Sequence, residues 1–274
     1  MKTTVIAEIG ENHYGNWAIC RGMVEQAAAN GATYAKFQTY TADQFGRDHP
    51  WYDEFKMVEM PSEVHFEMKT LCEQLGVGFL CSTFTLRSTD FLVDAMGCDT
   101  LKLASSRIGH TALIDYINSR ADQVKTVYLS TGMATLAEVR EAVGHLDRIE
   151  GLYLLHCTSQ YPTDDANVNL RAMTTLQEAF PDHPVGLSDH SRGLDACLAA
   201  VAMGARVVEK HFTYNTRMPG DDHEGGMSPD MLAELVHRVE RLETMLGSAE
   251  KRPVAAEKRA IDALRIDMRE VDFD

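Results

Sequence analysis

Along the whole chain, short apolar runs rich in β-branched residues alternate with longer segments whose apolar positions recur every three or four residues. The first kind reads as a buried parallel strand and the second as an amphipathic helix, so the repeated unit is βα. Strands are predicted at TVIAEI (4–9), TYAKFQ (33–38), VGFLCS (77–82), TLKLA (100–104), KTVYLS (125–130), GLYLLH (151–156), PVGLS (184–188) and RVVEK (206–210). Helices are predicted near 16–30, 62–75, 86–96, 110–122, 134–146, 169–180, 192–203 and 229–246. Eight equal units without a break in composition predict one closed (β/α)₈ barrel, an α/β fold of a single domain, over an open doubly wound sheet. No GxGxxG follows the first strand, which further weakens a dinucleotide-binding reading. The barrel is assigned to 1–247, and 248–274 is a charged tail with a weak helical pattern. Two connections are long, 39–61 and 211–228. The second, HFTYNTRMPGDDHEGGMS, has the glycine and charge of an active-site loop.

Composition narrows the function. With 45% hydrophobic and 24% charged residues the chain can bury a sizeable core. A formal net charge of −15 with no basic run argues against nucleic acid and against an anionic membrane surface. The start MKTTVIAEIG lacks a secretory pattern and no apolar run is long enough to span a bilayer, so a cytoplasmic protein is expected. Six cysteines without CxxC or regular spacing read as reduced, mostly buried thiols.

In a barrel the chemistry gathers at the C-terminal ends of the strands. Each predicted strand ends in polar residues: Glu8; Lys36 and Gln38; Ser82 and Thr83; Lys102 with Ser105 and Ser106; Ser130 and Thr131; His156 and Thr158; Ser188, Asp189 and His190; Glu209, Lys210 and His211. Alternation puts Lys36 with Gln38 on one face and Ser188 with His190 on one face. Lys36 and Lys102 lie within apolar strands, where charging a lysine requires an anion. A neighbouring carboxylate such as Glu8 or Glu209 is one source. A bound phosphate and carboxylate is the other, favoured by the many hydroxyl donors. A lone histidine at a strand end is more often structural than a ligand. His190 and His211 on adjacent strand ends beside Asp189 point instead to a divalent metal site left open to substrate and water.

The motifs AEIGENHYG (7–15), AKFQTY (35–40), LSTGMATL (129–136), LLHCTSQYP (154–162), GLSDHS (186–191), EKHFT (209–213) and PGDDH (219–223) together resemble the N-acetylneuraminate (sialic acid) synthase family over nearly the whole chain. That resemblance implies a TIM barrel that condenses phosphoenolpyruvate with an open-chain sugar aldehyde, releasing phosphate and giving a sialic-acid-like α-keto acid. It implies a divalent cofactor, Mn²⁺ first, with Mg²⁺ or Co²⁺ as substitutes, held by His190 and His211. By position it makes Lys36, Thr83, Lys102, Ser105, Ser130, Ser159 and Ser188 the phosphoenolpyruvate pocket. Gln38, Tyr161 and Asp222 become acceptor contacts, and Glu8 an active-site carboxylate. His190, His211, Glu8 and Asp222 then form the expected catalytic set.

The chain departs from the family at several points. It reads ASSR, ending in Arg107, where an acidic residue is usual after the fourth strand; Ser159 replaces a common asparagine. It begins at the first strand, and it stops where the family continues into an antifreeze-like domain that lends an arginine to the partner's acceptor site. Arg107 is therefore expected to take that arginine's place and hold an anionic acceptor, or else to pair with Glu8 or Asp222 at the rim. Homo-oligomers, and an antifreeze-like domain supplied by a separate chain, are the expected protein partners. Two other readings stay open: a phosphoenolpyruvate-binding sensor without catalysis, and a keto-acid aldolase with Lys36 or Lys102 as Schiff-base amine.

Overall fold

The computed structural model describes residues 2–265. Strand β1 (Thr4–Glu8) leads into α1 (Trp17–Ala29), whose N-terminus is capped by the Asn16 side chain. After β2 (Tyr34–Thr39) the long connection carries a 3₁₀ turn and a short helix, α2 (Tyr52–Val58), before α3 (Ser62–Leu75). The periodicity does not foretell α2, because Glu54, Phe55, Met57 and Val58 face a cavity instead of forming one apolar stripe. The next units are β3 (Gly78–Thr83) with α4 (Leu86–Asp90), which runs on as a π-helical turn through Ala95, and β4 (Thr100–Leu103) with α5 (Thr111–Ser119).

β5 (Thr126–Ser130) and α6 (Leu136–Gly144) follow, with Thr135 and Glu138 closing a capping box. Then come β6 (Gly151–Cys157), α7 (Arg171–Ala179), β7 (Val185–Asp189), α8 (Asp195–Ala202) and β8 (Val207–His211). A short helix, α9 (Asp221–Glu224), sits in the last loop, and α10 (Pro229–Leu246) completes the ring with Ser228 as cap and proline in its first turn. Within the expected tail, α11 (Lys258–Leu264) is exposed; the remainder, 266–274, lies outside the described residues.

All eight strands are parallel and close on themselves in sequence order, with β8 returning to β1. The fold is thus the expected single-domain barrel, and each strand lies within a residue or two of its predicted bounds. Two apolar layers result from strand alternation. Ile6, Leu80, Tyr128, Leu155 and Val207 fill the lumen, while the larger core packs the outward residues of the strands against the helices. The lumen plug closes the N-terminal end, so only the C-terminal end is open to build a site. All six cysteines are free, and five of them are buried. No helix among the described residues is long and apolar enough to cross a membrane.

Candidate active site

Above the apolar plug the inward positions turn polar, and they line a cavity of about 860 Å³. The strands contribute Glu8, Lys36, Gln38, Ser82, Lys102, Ser130, Cys157, Ser188, Glu209 and His211, and the loops after them add Ser105, Ser159, Tyr161, His190 and Asp222. The cavity therefore brings together every site residue expected from the sequence except Thr83 and Arg107.

Alternation explains the first exception. Successive residues of a strand face opposite sides, so Ser82 points into the lumen and Thr83 points out. The Thr83 hydroxyl is fully buried against the start of α4, donating to the Thr85 carbonyl at 3.2 Å and lying 2.8 Å from Ser88 Oγ. The same parity moves three other polar strand-end residues to the outside. His156 Nε2 lies 2.7 Å from the Val168 carbonyl, and Asp189 pairs with Lys210 behind the sheet. Asp189 is therefore no companion of the histidines inside the cavity, and on β6 it is Cys157 that faces inward.

Arg107 ends a 3₁₀ turn, Ser105–Arg107, whose two serines face the cavity. The turn carries the guanidinium over the ring of Phe84, 5.4 Å from its centroid, rather than to the cavity wall. No carboxylate lies within ion-pair distance of it among the described residues, so pairing with Glu8 or Asp222 is not found either. Its Nε is buried without a hydrogen-bond partner, and burial lowers its pKa.

At the cavity floor two lysines and two glutamates interlock. Lys36 Nζ stands 2.7 Å from Glu8 Oε2, donates to Ser82 Oγ at 3.2 Å and lies 3.7 Å from Glu209 Oε1. Lys102 Nζ donates to Ser130 Oγ at 2.6 Å and is also 3.7 Å from Glu209 Oε1, which accepts from Ser188 Oγ at 3.1 Å. Burial opposes charge on Lys36, yet Glu209 and Glu8 outweigh it and hold the pKa above the ordinary lysine value. For Lys102 burial wins, because Glu209 offsets only part of it and Lys36 repels, so the pKa is lowered. Burial likewise opposes charge on Glu209, but the two lysines overcome it and depress its pKa. Glu209, read from sequence only as a possible counter-ion, is thus the hub of the floor. Its two-residue spacing from His211 was the available signal that both face inward.

Higher in the cavity the imidazoles of His190 and His211 lie side by side, with ring centroids 5.4 Å apart. His190 Nδ1 is 2.9 Å from the Thr158 carbonyl, a contact that makes Nδ1–H the donor and leaves Nε2 as the ring's other nitrogen. Burial, then the positive charges of His190 and Lys36, push the His211 pKa well below its ordinary value, so that ring is neutral. Asp222 Oδ2 is 3.4 Å from His211 Nδ1, and burial followed by repulsion from Glu11 raises the Asp222 pKa to about 7. The Tyr161 ring lies tilted against that of His190, with centroids 4.1 Å apart, and Gln38 donates to Glu8 Oε1 at 3.0 Å.

Four buried atoms in this cavity have no hydrogen-bond partner among the described residues: Glu8 Oε2 and His211 Nδ1, which stand against Lys36 and Asp222, and Glu209 Oε2 and Ser159 Oγ. Such groups are rare in a native interior and mark the place of a ligand or water. Gly132 lets the backbone pack closely on two of the cavity's serines, since a Cβ there would come within 2.7 Å of both Ser105 Oγ and Ser159 Oγ. Its N–H instead donates to Ser105 Oγ at 3.1 Å. The mouth differs in character. Tyr40, Phe45, Phe55 and Phe84 form one wall, with Trp51 at the edge, and Glu11, Glu54, Asp221 and Asp222 supply carboxylates. Lys36 and Lys102, both at the floor, are the only lysines or arginines lining the cavity among the described residues.

A parallel eight-stranded barrel with buried lysines, hydroxyls and paired imidazoles at its C-terminal mouth is the architecture of a barrel enzyme with a site suited to a small anion. Residues 23–251 match the NeuB family, and the chain belongs to that family, that of the sialic acid synthases, as an enzyme of the synthase class. It is 36% identical over 274 residues to N,N'-diacetyllegionaminic acid synthase of Legionella pneumophila, covering 92% of this chain and 76% of that protein. It is 33% identical to human N-acetylneuraminate-9-phosphate synthase over 270 residues, covering 92% and 74%. The crystal structure of N-acetylneuraminic acid synthetase from Leptospira borgpetersenii, in complex with citrate, superposes with a TM-score of 0.90 at 31% identity, covering 99% of this chain and 94% of that one.

Proposed function

We propose that this protein condenses phosphoenolpyruvate with the open-chain aldehyde of an uncharged sugar to give a nonulosonic-type α-keto acid and inorganic phosphate. The observation that carries this reading is the floor. Two buried lysines and the hydroxyls of Ser82, Ser130 and Ser188 converge there beside the unpartnered oxygens of Glu209 and Ser159. Lysines and hydroxyls suit a ligand carrying both phosphate and carboxylate. Its arrival would also oppose the burial that lowers the Lys102 pKa. Carbon 3 of phosphoenolpyruvate then attacks the aldehyde carbon, water adds at the cationic carbon 2, and the carbon–oxygen bond to phosphate breaks.

The cofactor in this reading is a divalent ion, manganese first and magnesium or cobalt as substitutes, held by His190 and His211. The residues fit it once His190 gives up a proton: His211 is neutral, and His190, whose pKa burial lowers less than Cys157 and the Thr158 carbonyl raise it, is oriented by that carbonyl as metal-bound imidazoles usually are. No group of three His, Cys, Asp or Glu among the described residues is placed to hold a metal, so substrate and water would complete the coordination. When bound, the ion supplies Lewis-acid polarisation of the acceptor aldehyde. Tyr161 and Asp222, beside the imidazoles, orient the acceptor.

The mouth revises the expectation of an anionic acceptor. No lysine or arginine lines the mouth among the described residues to offset Glu11, Glu54 and Asp221, and Arg107 is turned onto Phe84, so a second phosphate or acid would enter against repulsion. The test incubates the protein with Mn²⁺, phosphoenolpyruvate and matched neutral, phosphorylated and acidic sugars, with mass spectrometry of products and a phosphate assay. Chelation should abolish acceptor-dependent phosphate release. Failure of phosphoenolpyruvate to bind the Mn²⁺-loaded protein at millimolar concentration would sink the reading. The lowered pKa of Lys102 favours one other reaction, Schiff-base aldol chemistry. Borohydride trapping of a keto acid on Lys102 would put that reading in place of condensation.

A further inference from the structure

The outward residues of β7 and β8 form a second polar cluster that the cavity does not use. Asp189 and Lys210 are register partners on the two strands, and each immediately precedes a histidine of the site. Both are almost wholly inaccessible to solvent. Lys210 Nζ donates to Asp189 Oδ2 at 2.6 Å and to the Ser191 carbonyl at 2.5 Å. Asp189 Oδ1 accepts from the Ser191 N–H at 3.0 Å and from its hydroxyl at 2.7 Å, and Cys197 on α8 closes the cluster with its thiol 3.4 Å from Asp189 Oδ2.

These bonds take hold of the backbone on both sides of His190 and tie it to the residue before His211. A buried ion pair is a poor source of stability, since well-packed apolar side chains of similar size commonly serve as well. What the pair does supply is direction. It ties the end of β7 to the end of β8, from which the two imidazoles project on the other face of the sheet. We propose that Asp189, Lys210 and Ser191 are positioning residues, a clamp outside the barrel wall that sets the separation of His190 and His211 inside it. The proposal rests on the metal-site reading above only where manganese is used as the probe.

The test replaces the clamp by an apolar pair, Asp189→Leu with Lys210→Met, in the full chain. Thermal unfolding is measured beside Mn²⁺ affinity, by calorimetry and electron paramagnetic resonance, and a crystal structure of the variant gives the ring separation. The clamp predicts a cooperative fold with Mn²⁺ affinity about 10-fold or more below the parent, the range seen when an outer-shell partner is lost. It also predicts histidine rings displaced by more than about 0.5 Å, the tolerance a functional constellation requires. A folded variant with parental Mn²⁺ affinity and ring separation overturns it. If the double variant does not fold, Ser191→Ala decides, since it removes one hydroxyl bond: a fall in Mn²⁺ affinity at unchanged unfolding temperature supports the clamp, and unchanged affinity overturns it. Should the parent protein bind no Mn²⁺, the metal reading fails while the ring separation still tests the clamp.

Discussion

Substituting Lys36 by Met removes the cation that stands between Glu8 and Glu209 and keeps most of its volume. Glu8 retains the Gln38 amide at 3.0 Å, and Glu209 retains Ser188 at 3.1 Å with Lys102 at 3.7 Å, so neither carboxylate is fully abandoned. Breaking a buried pair by removing one partner costs about 3–5 kcal/mol, and the remaining contacts place this case near 3. In a barrel of this size that corresponds to a fall in unfolding temperature of roughly 6–12 °C. The deficit also carries a pH signature. Glu209 has a depressed pKa when folded, so its pairing stabilises the protein above the unfolded carboxylate value and is lost as pH falls through the folded one. Without Lys36 the burial that opposes its charge meets only Lys102, the folded pKa rises, and protonation relieves the penalty. Lys36→Met should therefore lag the parent most at neutral pH and close the gap as the pH falls from the variant's raised carboxylate pKa toward the parent's depressed one. Urea unfolding at a series of pH values measures the gap, and titration calorimetry should show phosphoenolpyruvate affinity reduced about 10-fold or more, the worth of a charge-assisted hydrogen bond. A gap that is absent, or constant with pH, would refute this account of the cavity floor.

Arg107→Ala should leave the KM values of phosphoenolpyruvate and acceptor within about twofold of the parent, and cost about 0.5–1 kcal/mol of stability through the lost contact with Phe84; steady-state kinetics and thermal unfolding check it, and a sharp rise in acceptor KM alone would restore the anion-holding role. Ser82→Ala and Thr83→Val, neighbours on one strand, should separate cleanly. The first raises the phosphoenolpyruvate KM by removing a Lys36 partner, and the second costs about 1–3 kcal/mol by stripping a buried hydroxyl cluster with KM unchanged. Both variants behaving alike would show that side-chain parity does not decide the site.

Parity is also where the sequence stopped being legible. The barrel could be read from it because eight apolar runs and eight amphipathic segments repeat one period, and a repeated period survives small errors in any single unit. The site could be read only to the nearest pair of residues. Polar strand ends such as Ser82–Thr83 and Asp189–His190 announce a rim, but which member faces inward depends on the residue at which each strand enters the barrel. Lys36 with Gln38, and Glu209 with His211, share a face by spacing alone and were open to the same reading, yet the charge of Glu209 drew attention only as a neutraliser of lysine. Arg107 lay beyond this logic. Past the strand no alternation holds, and a 3₁₀ turn carried its guanidinium onto Phe84, a residue that reaches it only through the folding of the previous βα loop. The aromatic wall of the mouth is hidden for the same reason, since Phe45 and Phe55 meet Tyr40 and Phe84 across two loops. Inward strand residues are placed by the repeat itself, whereas loop residues are placed only by the way each loop folds. The floor of the cavity is accordingly readable from the chain, and the acidic and aromatic character of its mouth emerges only once the loops are placed around it.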